Sequence, residues 1–151
     1  MRKLTGIVIV AIIVSFLFSC SKSDNENTEG SFKWTYEGTT YTADIDTAFM
    51  TRYGSPTIVA GSGTAWLAMG RRIITSLTSF NAATYAFGAG SSNDFEYIDD
   101  GGFNLSGISG TLTITSSSTS AISGNFSVTL IDRFGSNKPI TGTFTDLPVR
   151  D

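Results

Sequence analysis

The chain reads as an all-β protein, an antiparallel β-sandwich or, alternatively, a flattened β-barrel, standing after an N-terminal signal segment. Three observations predict this. Apolar residues recur with a period of two from Phe32 into the C-terminal third, the spacing that turns one face of a strand toward a core. Gly, Ser, Thr and Asp clusters punctuate the chain at roughly the hairpin-like intervals of small β domains. No segment after residue 30 carries the 3.6-residue apolar stripe of an amphipathic helix. About eight to ten short strands are expected, with residues 31–151 as a single domain.

The elements follow in order. Phe32, Trp34 and Tyr36 alternate with Lys33 and Thr35, and Tyr41, Ala43 and Ile45 alternate with Thr42 and Asp44. Glu37-Gly38 between them is a turn signal, so the two runs form a hairpin. Residues 57–60 are a short apolar strand. Residues 65–69 and 71–77 follow, nearly continuous in apolar character, which predicts burial on both faces. Ala83, Tyr85 and Phe87 make one alternating run and Phe95 and Tyr97 another, closed by the turn Asp99-Asp100-Gly101-Gly102. Leu112 and Ile114 oppose Thr111, Thr113 and Thr115. Phe126, Val128 and Leu130 share a face, as do Ile140, Gly142 and Phe144. Ile122-Ser123-Gly124-Asn125-Phe126 echoes Ile140-Thr141-Gly142-Thr143-Phe144. Gly two residues before Phe predicts a ring packed over a position with no side chain. The two strands are expected to be neighbours, joined by a loop over 132–138.

Composition removes several chemistries. Histidine is absent and Cys20 is the only cysteine. Ser–His and Cys–His catalysis, intrachain disulfides and thiolate metal sites are therefore excluded. The 151 residues hold ten Lys+Arg and thirteen Asp+Glu. Loss of Arg2 and Lys3 with the signal segment leaves eight bases against thirteen acids, a net −5. Such a domain does not suit nucleic acid, whose phosphates require basic patches. Arg71-Arg72 is the only adjacent basic pair after the signal segment and reads as a solvated strand end. Asp44 with Asp46, and Asp99 with Asp100, are the only paired carboxylates with a reading beyond structure. They lack the further ligands of a calcium loop and read as ordinary turn or edge chemistry. No catalytic residue, metal or cofactor is assigned. Most of Trp34, Trp66, Tyr36, Tyr41, Tyr85 and Tyr97 are expected in the core. Tyr53, between Arg52 and Gly54, is the aromatic expected to be exposed as a ligand contact.

The N-terminus carries an address. Arg2-Lys3 precede an apolar run too short for a comfortable membrane span, and the run ends in Leu17-Phe18-Ser19-Cys20. These residues resemble the bacterial lipobox. The resemblance implies cleavage after residue 19 and a thioether-linked diacylglycerol with N-acylation on Cys20, a durable membrane anchor. Residues 20–30 hold no apolar side chain beyond Cys20 and read as a flexible tether. With this lipobox and tether, Phe-Lys-Trp-Thr-Tyr-Glu-Gly-Thr-Thr-Tyr-Thr-Ala at 32–43 and the Ile-Ser-Gly-Asn-Phe and Ile-Thr-Gly-Thr-Phe pair resemble uncharacterised surface lipoproteins of Bacteroidota-type bacteria. That resemblance implies a β-sandwich anchored at the outer membrane, on its outer or its periplasmic face. It implies no activity.

Two function classes stay open. One is a non-enzymatic surface module that binds a glycan or protein ligand. The other is a structural or accessory subunit of an envelope complex, held by sheet-edge pairing. Asp46-Thr47-Ala48 also looks like the three-residue acceptor of Bacteroidota-type O-glycosylation, which makes Thr47 a candidate for modification.

Overall fold

The computed structural model describes residues 30–43, 45–50, 54–62 and 70–150. Ten strands lie within them: β1 (Ser31–Tyr36), β2 (Thr39–Thr42), β3 (Ile45–Met50), β4 (Pro56–Gly61), β5 (Arg72–Ser76), β6 (Thr84–Gly88), β7 (Asp94–Ile98), β8 (Asn104–Ser117), β9 (Ala121–Ile131) and β10 (Asn137–Arg150). All ten belong to one sheet. Pairing runs from β10 through β3, β4, β5 and β7 to β8, and β9 joins β8 back to β10. The sheet therefore curls on itself around one interior, in the manner of a barrel. The all-β expectation holds. Every pairing is antiparallel except that of β10 with β3, which is parallel at Val149↔Ala48 and Arg150↔Phe49.

Local chemistry sets the elements. Tyr36 pairs with Thr39 across Glu37 and Gly38, whose φ values of 48° and 78° are both left-handed. That is the two-residue turn whose twist suits a hairpin, with Gly at the position where its freedom matters. The expected neighbourhood of the two echoing segments is realised on β9 and β10. Gly142 pairs with Phe126, and Phe144 with Gly124. Each ring covers the glycine opposite. A Cβ on Gly124 would come within 2.6 Å of Phe144 Cζ, and one on Gly142 would overlap the Phe126 ring.

The expected burial and the expected strand lengths each need a correction. β5 alternates, with Ile73 and Thr75 buried and Ile74 only half-buried. A single curled sheet has one interior, so it cannot bury both faces of that strand. β8, β9 and β10 are also long, at 14, 11 and 14 residues. Bulges in β8 and β10 keep them amphipathic over that length. On β10 Ile140 and Phe144 point inward. The register then slips, so Leu147 is buried and Asp146, at φ 49°, stays outside. The Asp146 N–H donates to Ser123 Oγ at 2.9 Å and fixes the slip.

A row of phenyl rings crosses the interior. Phe144 stacks on Phe32, Phe32 meets Phe126, Phe126 meets Phe95, and Phe95 meets Phe87, at centroid distances of 5.8, 5.7, 5.2 and 5.4 Å. Each such pair adds about 0.5–1.5 kcal/mol to the burial term. The outer wall is polar. Thr40, Thr35, Thr141, Ser127 and Thr111 form one cross-strand row, and Thr42, Lys33, Thr143, Asn125, Thr113 and Thr84 the next.

The pairing also sorts the ends. β1 runs from Ser31, opposite Thr145, to Tyr36, opposite Ile140. Gly30, where the preceding chain arrives, packs against Asp146, Leu147 and Pro148. This near end also receives the turn between β8 and β9 and the final residues of β10. The far end carries the β1–β2 turn, the β7–β8 turn (99–103), the β9–β10 turn (132–136) and the start of β5.

Candidate functional site

The chemistry-bearing side chains gather at the far end, and the turns place them there. Asp99 Oδ1 accepts the N–H groups of Gly101 and Phe103 at 2.8 and 2.9 Å. Asp132 Oδ1 accepts those of Phe134 and Ser136, both at 2.8 Å. Each aspartate folds its own turn, the usual role of a short carboxylate there. Each turn holds a phenylalanine that cannot reach the core. Phe103 is 45% exposed and Phe134 79%.

Contacts between turns form a belt. Arg71 Nη2 lies 2.6 Å from Asp100 Oδ2, and its Cζ is 4.3 Å from the centre of the Tyr41 ring. In the same β7–β8 turn, Phe103 supports Arg133, whose Cζ is 3.9 Å from the ring centre. Phe134 lies on that guanidinium too, at 4.7 Å. Lys138 Nζ reaches Glu37 Oε1 at 2.5 Å, which ties the start of β10 to the β1–β2 turn. Beneath the belt, Trp34 packs on Tyr41 at 5.5 Å and Tyr36 on Tyr97 at 4.6 Å. Among the described residues, Trp34 Nε1 and the Tyr97 hydroxyl are buried without a well-formed hydrogen bond, though Trp34 offsets part of the burial of the Tyr97 phenol. Burial pushes the Tyr97 hydroxyl up to about 12. Glu37 supports the Lys138 ammonium, by hydrogen bond and by charge, and raises its pKa.

Two shallow hollows lie on the outer wall. One, of about 450 Å³, is bordered by Gly88, Ser91, Asn93, Asp94, Gly107 and Ile108. The other, of about 320 Å³, sits among Lys33, Thr35, Thr40, Thr141 and Thr143. Among the described residues no three or more Asp, Glu, His or Cys converge as a metal site would require.

The sites expected from sequence are scattered. Cys20, Tyr53, Asp44 and Trp66 lie outside the described residues. Thr47 occupies the middle of β3, opposite Val59 of β4, and Asp46 is opposite Ala60. Asp99 closes its turn as expected, while Asp100 bridges to Arg71. Arg71 does stand at a strand end, but with a carboxylate and a ring as partners. Trp34, Tyr36, Tyr85 and Tyr97 are core, as expected, and Tyr41 packs against the core from its margin. Sequence reasoning passed over Phe103, Arg133 and Phe134. Their signal was present: an aromatic inside an Asp/Gly turn stands outside any strand alternation that could bury it.

No curated protein and no solved structure matches the chain. One family does, a domain of unknown function designated DUF6252, over residues 28–148. That stretch runs from two residues before Gly30 almost to the end of β10, so the chain belongs to the DUF6252 family.

Proposed function

We propose that this is a lipid-anchored, non-enzymatic surface module of the outer membrane, which meets a glycan or protein ligand with its far end. The observation that carries the reading is polarity along the barrel. The chain preceding β1 arrives at the near end, while two exposed phenylalanines and an arginine stand at the far end. An anchor on Cys20 would hold the near end to the lipid surface and present the far end outward. Aromatic residues, Phe included, and arginine are enriched at recognition surfaces. The lack of histidine and the single cysteine, at Cys20, support a non-catalytic role.

The alternative, a subunit held by edge pairing, has less support. The free edge of β6 is covered where the Ala86 carbonyl accepts from Ser91 Oγ at 2.6 Å and Asn93 Nδ2 at 3.1 Å. β2, the other edge of the sheet, is only four residues long.

Radiolabelled palmitate is expected to label the wild-type protein and not Cys20→Ala. A glycan-array and peptide-array screen of the full chain should give hits that Phe103→Ser/Phe134→Ser loses. Hits unaffected by that double change would refute the far-end assignment. Modification of Thr47 belongs to the same reading, since an exported protein meets the glycosylation system. Intact mass of the native protein should then exceed the lipidated polypeptide, and Thr47→Ala should remove the excess.

A further inference from the structure

At the far end each acid has a partner. Asp100 lies on Arg71, Glu37 lies on Lys138, and Asp99 and Asp132 each accept two amides of their own turn. Arg133 is the reverse case. Its guanidinium carbon rests against Phe103 and Phe134, and among the described residues it takes no ion pair or hydrogen bond. We propose that Arg133 and Phe134 form a subsite for a uronic-acid residue of an acidic polysaccharide. This rests on the surface-binding reading above and names its ligand class.

Three arguments lead there. A guanidinium presents N–H groups in a planar fork that matches a carboxylate in two-point contact. The flanking rings partly desolvate the cation, which strengthens its attraction for an anion. Phe134, 79% exposed, offers an apolar face beside the fork, where the C–H face of a pyranose ring can lie. Size separates a sugar from a folded protein partner. A stable protein interface takes roughly 800 Å² from each side, well beyond two rings and a guanidinium, so the patch suits a group the size of one sugar residue. The partnered acids matter as well. With Asp100 and Glu37 neutralised by cations, and Asp99 and Asp132 engaged by amides, an incoming carboxylate meets less opposing charge than the overall net charge suggests.

Affinity electrophoresis of the full-length protein tests this, with polygalacturonate in the gel. Neutral galactan and fully methyl-esterified polygalacturonate serve as uncharged comparisons. Retardation by polygalacturonate alone is expected. Arg133→Gln should weaken it roughly tenfold or more, the loss of a charge-assisted pair. Arg133→Lys, which keeps charge without the fork, should restore only part. Phe134→Ser should weaken it, and Arg150→Gln at the near end should leave it unchanged. Unaltered melting temperatures would show that these surface variants fold. Equal retardation of wild type and Arg133→Gln would overturn the proposal. So would retention by the esterified polymer, or a preference for poly-glutamate, which would assign the patch to acidic peptides. Retention of neutral galactan that Phe134→Ser abolishes would overturn the charge assignment and leave far-end binding standing. No retardation by any of these polymers, or retardation that neither Arg133→Gln nor Phe134→Ser alters, would remove both.

Discussion

Gly124 and Gly142 show how much one hydrogen atom can decide. Each has a phenyl ring over it, and each also has backbone against it: Thr113 O at Gly124, Lys33 O at Gly142. Phe126→Ala and Phe144→Ala should each cost about 3–5 kcal/mol, as buried aromatic deletions do. Gly124→Ala should be at least as damaging, and Phe144→Ala added to it should not rescue it, because the carbonyl of Thr113 remains in the way. Urea melts of the single and double variants decide this, and rescue would mean the ring alone sets the constraint. Tyr97 makes the opposite case. Its buried hydroxyl has no well-formed hydrogen bond among the described residues, with Trp34 only partly offsetting its burial, so Tyr97→Phe should leave stability within about 1 kcal/mol of wild type. Its pKa also links stability to pH. The folded value stands near 12, above the ordinary 10.0, because burial disfavours the phenolate. The unfolded chain therefore loses this proton first. Stability is full below pH 10, falls as pH rises toward 12, and should fall less steeply in Tyr97→Phe. Thermal melts from pH 9 to 12 measure the difference.

Turns and strand ends are where local sequence governs most. Asp132→Ala removes the acceptor of two amides and should cost about 1–2 kcal/mol. Lys138→Ala breaks an exposed, salt-screened ion pair, so its urea midpoint should stay close to that of the wild type. A Ser91→Ala/Asn93→Ala double variant frees the Ala86 carbonyl on the edge of β6. It should associate with rising concentration on size-exclusion chromatography while its fold is kept; a monomer at all concentrations would show that the edge is protected by other means. The same scale shows what the sequence discloses. Period-two runs marked β1, β9 and β10, and the Gly–Phe echo marked their adjacency. The inward residues of β8 were half-legible. Leu112 and Ile114 are even-numbered and Leu105 is odd-numbered, and the slip at Ile108 that reconciles them has no signature in alternation. The far-end patch was missed for a related reason. Its members sit in turns, where periodicity is silent, and their meeting depends on which turns the sheet brings together.

At the scale of the molecule the dominant fact is that β1 pairs with β10, residues 31–36 with residues 140–145. No local rule of sequence announces that pairing. It joins distant parts of the chain, and the stacked rings of Phe32 and Phe144 seal it. Closing so long a loop before its contacts form is slow, so stopped-flow refolding is expected on the millisecond-to-second scale of high-contact-order β proteins. The same pairing has a mechanical consequence. β1 is flanked by β10 on one side and β2 on the other, and Gly30 stands directly before its first residue. Ladder hydrogen bonds lie across the strand direction. A pull on the segment before Gly30 therefore loads the bonds on both sides of β1 together, in shear, instead of opening them one after another like a zip. A domain held by its N-terminus against flowing liquid would thus bear the drag on a strand bonded along both its sides.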